Sequence, residues 1–262
     1  TVSASPQMLS NVQLESLVSP IALYPDSLLS IMLLASTYPL EVAEAYNWRS
    51  SNASLQGSAL TNALNAQSWN DSVKSLISFP QALTMMGKQL QWTQNLGNAY
   101  KLQPADTMKA VQTLRKKAQT AGTLKSNAQM TVSTDASGNI IIAPPNTQIV
   151  YVPTYNPTQV YGPWPYPAYP PPPPYYPPGY VAGTALLSFG VGMAVGAALW
   201  GGCHWGGGWG GGNSLTVNNN TYNNFNRNTN NNWKGNRSGS NEWKPDAQRR
   251  NANIGGGGAS RD

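Results

Sequence analysis

"DSLLSIMLLAST", residues Asp26–Thr37, decides the fold. A helix built from it is apolar almost all round, so it belongs either in the middle of a helical bundle or in a membrane. Its twelve residues would reach about 18 Å at helical rise, well short of the roughly 30 Å hydrocarbon layer of a bilayer. The length points to a bundle core. Trp48, Phe79, Trp69 and Trp92 are expected to supply large buried surfaces to that core.

Outward from this stretch, the first 122 residues read as helices. Trp69, Val73, Leu76 and Ile77 recur at i, i+4, i+7 and i+8, one face of a helix. Ser68, with Asp71 three residues on, resembles a capping box at its start. Met108, Val111, Leu114, Ala118 and Ala121 form a second stripe behind Pro104. Asp106 in its first turn and Arg115-Lys116-Lys117 towards its end complement the helix dipole, and Gly122 stops it. Pro39 and Pro80 sit where a first helical turn tolerates a missing N–H. From Gln129 the period changes, and Met130–Ser133, Ile140–Ala143 and Ile149–Val152 read as short strands separated by turn residues.

Charge divides the chain. Residues 1–135 carry nine Lys/Arg and seven Asp/Glu, residues 136–226 carry none, and residues 227–262 carry seven and three. An ordinary soluble domain is charged at about a quarter of its positions, so the middle region is not expected to be one. Cys203 has no second cysteine to pair with inside the chain. The start, Thr1-Val2-Ser3-Ala4-Ser5, fits either a chain whose signal peptide has been removed or a shortened one.

The expected architecture is mainly α. A helical bundle over 1–125 carries a small β hairpin or meander over 126–160, followed by a Pro/Tyr-rich linker over 161–179. A Gly-rich apolar helix over 180–200 and a disordered, basic Gly/Asn-rich tail over 201–262 complete it. The linker, "GPWPYPAYPPPPPYYPPGY" with its flanking glycines, favours a semi-rigid polyproline II conformation. Its Trp164, Tyr166, Tyr169, Tyr175 and Tyr176 form a candidate aromatic binding surface for an envelope glycan or protein.

Tyr180 to Trp200 is uncharged for 21 residues, about 31 Å as a helix, with aromatic residues at both ends as at membrane interfaces. Gly192 and Gly196 make a GxxxG pair, and Gly183 and Gly190 add further small residues suited to close helix approach. Three readings stay open: membrane insertion, which the span length favours, homotypic packing without a membrane, and a linker. Against a helix, each glycine costs about 1 kcal/mol relative to alanine.

The landmarks "SPIALYPDSLLSIMLLASTYPLEVAEAYNW" (Ser19–Trp48), "WNDSVKSLISFPQALTMM" (Trp69–Met86), "WTQNLGNAY" (Trp92–Tyr100) and "IVYVPTYNPTQVYGPW" (Ile149–Trp164) resemble a bacterial family known as domain of unknown function 3300. The Gly-rich apolar segment ending "GAALWGGCHWGGG" extends the resemblance to Gly208. It implies a secreted or envelope-associated protein of Gram-negative bacteria, and it carries no functional residues to transfer.

The residues offer little for catalysis. His204 is the only histidine and lies beside Cys203 in a glycine run, where neighbouring side chains are not held in the geometry of a nucleophile and its base. The pair also falls short of the three or four ligands of a zinc site. Glu41 and Glu44, one turn apart, with Asp26 one helix earlier, are the best candidate acid–base group, although acids in a first turn serve the helix dipole equally well. The tail interleaves Arg227, Lys234, Arg237 and Lys244 with Tyr222, Phe225, Trp233 and Trp243, but too sparsely for nucleic acid to be the expected partner. The expectation is a non-enzymatic structural or interaction protein, exported to the periplasmic side of the envelope and membrane-associated, with no cofactor. Its expected partners are membrane lipid, other copies of itself through the glycine-rich helix, or envelope glycan or protein. An envelope hydrolase is the less favoured alternative.

Overall fold

The computed structural model describes residues 8–145, 149–178, 180, 185–190 and 193–194. Helices follow one another from the start: α1 (Asn11–Val18), α2 (Asp26–Ser36), α3 (Pro39–Ser51), α4 (Gly57–Asn65), α5 (Asp71–Leu76), α6 (Pro80–Lys88), α7 (Leu90–Leu102) and α8 (Pro104–Thr120). Strands β1 (Thr131–Thr134), β2 (Ile140–Ala143), β3 (Ile149–Val150) and β4 (Pro153–Tyr155) come next. A short α9 (Pro157–Val160), β5 (Leu187–Phe189) and β6 (Met193–Ala194) follow. The protein is mainly helical with small antiparallel pairs, as its periodicities require.

The stretch at Asp26–Thr37 is the bundle core. Helix α2 is buried along nearly its whole length and packs against α3, α5 and α7. Its large apolar side chains are each worth about 2 kcal/mol in burial. Three hydroxyls bond back within the helix, Ser30 Oγ to Ser27 O, Ser36 Oγ to Leu33 O and Thr37 Oγ1 to Leu34 O, each at 2.7 Å, whereas Ser27 Oγ is buried with no hydrogen-bond partner among the described residues. A helix covered on all sides can keep these polar atoms because they have partners. Among the described residues no single helix is long and apolar enough to cross a membrane. Only α2 and α3 together have the length and composition, and they bend by 111° at their junction. Phe79, Trp69 and Trp92 are buried as expected, and Trp48 packs edge-on against Trp69 with ring centroids 5.7 Å apart.

Helix boundaries follow local chemistry with two differences from the sequence reading. Proline opens α3, α6 and α8. Helix α8 ends before Gly122, whose φ of +74° lets the N–H groups of Thr123 and Leu124 turn back to Ala118 O. At α5 the cap is Asn70, whose Oδ1 accepts from Ser72 N at 3.0 Å, and not Ser68, because burial of Trp69 fixes the chain two residues further on. The second difference is Arg115. It does not point to solvent as part of a basic helix end but is fully buried.

The β hairpin is part of the same body. Strands β1 and β2 pair from Thr131↔Ala143 to Thr134↔Ile140, across a turn in which Asp135 Oδ1 accepts from Ser137 N and Asn139 N. Gln112 Nε2 donates to Ile140 O at 3.1 Å and Gln112 Oε1 accepts from Ile140 N at 2.8 Å, fastening β2 to α8.

The expected apolar helix over 180–200 is corrected where the chain is described. Leu187–Phe189 pairs antiparallel with Pro153–Tyr155, and Met193–Ala194 pairs with Ile149–Val150. Two residues separate the paired sets on one strand and three on the other. Glycine-rich sequence weakens a helix here, and the open backbone at Ile149–Tyr155 offers the segment ladder hydrogen bonds instead. Gly183, Gly192, Gly196 and Trp200 lie outside the described residues, as does the tail over 201–262 with Cys203 and His204.

Candidate functional site

The proline–tyrosine segment does not hang as a spacer. It lies back across the helical body as a strap. Five consecutive prolines, Pro170–Pro174, lock φ and remove every N–H, so this backbone can only accept hydrogen bonds. The body supplies the donors. Ser16 Oγ on α1 donates to Pro170 O at 2.7 Å, and Gln89 Nε2, between α6 and α7, donates to Pro173 O at 3.4 Å. Lys117 on α8 reaches the earlier part of the strap, donating to Tyr166 OH at 3.3 Å with its ammonium 4.7 Å from that ring's centroid. The same ammonium pairs with Glu15 on α1 at 2.6 Å.

A ladder of rings leads from the core to the strap. Tyr24, Tyr155, Tyr161, Trp164 and Tyr166 follow one another at centroid separations of 6.4, 6.1, 6.4 and 5.7 Å, mostly edge to face. The hydroxyls of Tyr155 and Tyr161 both donate to Ser19 O, at 3.0 and 2.6 Å, and Tyr155 OH accepts from Leu23 N at 3.2 Å. Tyr24 OH lies 3.8 Å from Met85 Sδ. Burial pushes all three phenols far above the usual tyrosine range.

The five aromatic residues singled out in the segment thus divide into roles. Trp164 is half-buried and closes a local turn, its Nε1 donating to Tyr169 O at 3.0 Å. Tyr166 is held by Lys117. Tyr175 packs inward on the core, close enough to Tyr24 to add to the upward push on its hydroxyl. Tyr169 and Tyr176 are left outward, 44% and 37% exposed. Tyr176 stacks flat on Tyr180, with centroids 4.5 Å apart and planes at 2°, and partial burial followed by the neighbouring Tyr180 raises its pKa. Of the glycine set, Gly190 is exposed at the end of β5. The arrangement is a ledge of rings on a stiff backbone with no charged side chain of its own, suited to stacking.

A family model described as "Protein of unknown function (DUF3300)" matches residues 10–245. The chain belongs to the DUF3300 family. This DUF3300 chain is 42% identical over 215 residues to the uncharacterized protein YacH of Escherichia coli (strain K12), an overlap of 66% of this chain and 35% of that protein. It spans about a third of the length of the curated relative it matches. No solved structure matches it.

Of the candidate carboxylates of the DUF3300 chain, Glu41 and Glu44 on α3 meet the neighbouring residues Asn70 and Trp69, and Asp26 stands apart from them. Glu41 Oε2 accepts from Asn70 N at 2.5 Å and Glu44 Oε2 accepts from Trp69 Nε1 at 3.0 Å, tying α3 to the start of α5. Asp26 is elsewhere, buried against Arg115. Among the described residues no three of His, Cys, Asp and Glu gather as metal ligands. Ser16, Gln89 and Lys117, which fasten the strap, escaped the sequence reading. Their partners lie 154, 84 and 49 residues away, and no local pattern marks a helix residue as a donor to a distant proline carbonyl.

Proposed function

We propose that this chain is a non-catalytic interaction protein of the bacterial cell envelope, with the proline–tyrosine strap as its contact surface. One observation carries the reading: the strap is fastened along its inner edge at Tyr166, Pro170 and Pro173 while Tyr169 and Tyr176 face outward. A stiff, pre-set array of rings loses little conformational entropy on binding, which favours a contact role. The structural bonds made by Asp26, Glu41 and Glu44 support a role without acid–base chemistry. The E. coli relative supports a bacterial setting, and the charge-free run over 136–226 supports work beside envelope surfaces. Membrane lipid is a partner on composition alone, and contact through a spanning helix is not part of this reading. Fractionation of the native host tests the placement: the chain is expected with the envelope, and recovery only in the cytosolic fraction rejects it.

A second reading names envelope glycan as the ligand, favoured by the flat Tyr176–Tyr180 stack and the lack of charge around it. Sugar rings present apolar faces that stack on such surfaces. Pull-down on peptidoglycan and on lipopolysaccharide tests it, with Tyr169→Ala and Tyr176→Ala expected to reduce retention. Hydrolysis of either polymer that Glu41→Gln or Glu44→Gln abolishes would instead restore the hydrolase.

A further inference from the structure

The inner face of the strap carries information that its outer face does not. A polyproline II helix has three residues per turn and rises about 3.1 Å per residue. Pro170 O and Pro173 O are three residues apart, so they recur on the same side of the strap, about 9 Å from one another. Ser16 and Gln89 come from separate parts of the helical body and meet these two carbonyls. Tyr175, half-buried, packs against the core just beyond the second carbonyl, and Tyr166 is held by Lys117 just before the first. A polyproline II backbone has no internal hydrogen bonds, so its carbonyls are free to be read by side-chain donors spaced one turn apart.

We infer that the surface formed by α1, the α6–α7 junction and the exposed edge of α8 is a recognition groove for polyproline II segments. In this chain the groove is filled in cis by residues 166–175. Its partner in trans is a separate, uncharged proline–tyrosine segment of the same kind. Three features define that partner. The side chains that meet the strap, Ser16, Gln89 and Lys117, do so as donors, which suits a ligand whose prolines carry no N–H groups. The cation that meets the strap, Lys117, is already paired with Glu15, so seating the strap calls for no acidic residue in the ligand. The resident segment shows by its own seating what sequence fits. The cis strap then acts as a built-in competitor, and a trans ligand binds when the strap leaves. This stands apart from whatever the outward rings of Tyr169 and Tyr176 contact.

The test uses the full chain and a fluorescein-labelled peptide, WPYPAYPPPPPYYPP, the sequence of Trp164–Pro178. Replacing Pro171, Pro172 and Pro173 by glycine removes the polyproline bias of the resident strap while leaving the groove intact. Fluorescence anisotropy is expected to show this opened chain binding the peptide at least about tenfold more tightly than the wild type. Adding Ser16→Ala and Gln89→Ala is expected to weaken binding by about tenfold, from two hydrogen bonds of ordinary net strength. Should the triple-glycine chain fail to fold, Tyr175→Ala serves as a milder opening with the same ordering of affinities. The inference is overturned if an opened chain with unchanged helical circular dichroism does not bind the peptide. Binding indifferent to Ser16→Ala and Gln89→Ala also overturns it.

Discussion

Arg115 Nη1 lies 2.6 Å from Asp26 Oδ1, with the guanidinium fully buried and the carboxylate nearly so. Three further bonds hold the same side chain: Nε to Ala22 O at 2.8 Å, Nη1 to Ile140 O at 2.7 Å and Nη2 to Tyr24 O at 3.0 Å. Asp26 Oδ1 also accepts from Ile142 N at 3.3 Å. One charge pair therefore joins α8, the loop before α2, α2 itself and β2, and with them the platform on which the strap rests. Removing one member leaves a buried charge without its counter-ion, at a cost of about 3–5 kcal/mol. Arg115→Leu and Asp26→Leu are each expected to lower urea stability by about that much. The double variant is expected to be markedly more stable than the sum of the two losses. Additivity within about 0.5 kcal/mol would mean that the two side chains act independently.

Gly97 is where α7 meets the end of α2. A Cβ there would lie 2.0 Å from Ser36 O and 2.5 Å from Ser36 C, both backbone atoms that no rotamer change can move. Helix propensity alone favours alanine over glycine by about 1 kcal/mol. Overpacking opposes it by about 1–3 kcal/mol, and with backbone as the obstacle the upper end applies. Gly97→Ala is expected to destabilise the protein by about 1–2 kcal/mol net, read as a lower urea midpoint at unchanged slope. A stabilised variant would show that the helices are further apart than this packing requires.

The buried phenols of Tyr24, Tyr155 and Tyr161 set an alkaline limit. Burial pushes each above the ordinary value of 10.0, whereas in the unfolded chain they ionise near it. The folded state therefore holds their protons when the unfolded state has released them. Stability from these groups is fully present below pH about 10 and is lost as pH rises further. Tyrosinate absorbance at 295 nm is expected to rise in two stages. The buried three appear in the second, only together with loss of helical circular dichroism. A single smooth titration with intact helices would contradict the burial.

The parts of this fold that were legible in the sequence are those set by local chemistry. The length and all-round apolarity of Asp26–Thr37 place α2 in the core, and Pro104 and Gly122 bracket α8 because ring closure and positive φ act on single residues. The β1–β2 hairpin was legible for the same reason. Arg115 was misread because a cation near a helix end has a sufficient local explanation in the dipole, and only the distant Asp26 and Ile140 O make burial possible. The pairing of Leu187–Phe189 with Pro153–Tyr155 and the fastening of the strap by Ser16 and Gln89 join residues more than 30 positions apart. Neither leaves a periodic trace. The aromatic residues of the strap could be named from composition, but not which of them face inward.

Lys117 links the strap to the body, and pH separates its ionic part from its packing. Partial burial works to lower its pKa, but its hydrogen bonds and charge interactions with Glu15 and Tyr166 outweigh that, and the net shift is upward from 10.5. A raised folded-state value means that the ammonium contributes stability fully below about pH 10.5, and that this contribution fades as pH rises through the folded value. Because the pair is only part-buried, its worth is held to about 1 kcal/mol or less. Lys117→Met is expected to lower stability by that amount at pH 8 in low salt. The difference from wild type should shrink in 1 M salt, where the Debye length falls to about 3 Å, and shrink again as pH rises beyond the ordinary lysine value of 10.5. Comparing variant with wild type at each pH cancels the tyrosine titration common to both. A deficit that persists unchanged through both conditions would show that the charge of Lys117 is not what fastens this end of the strap.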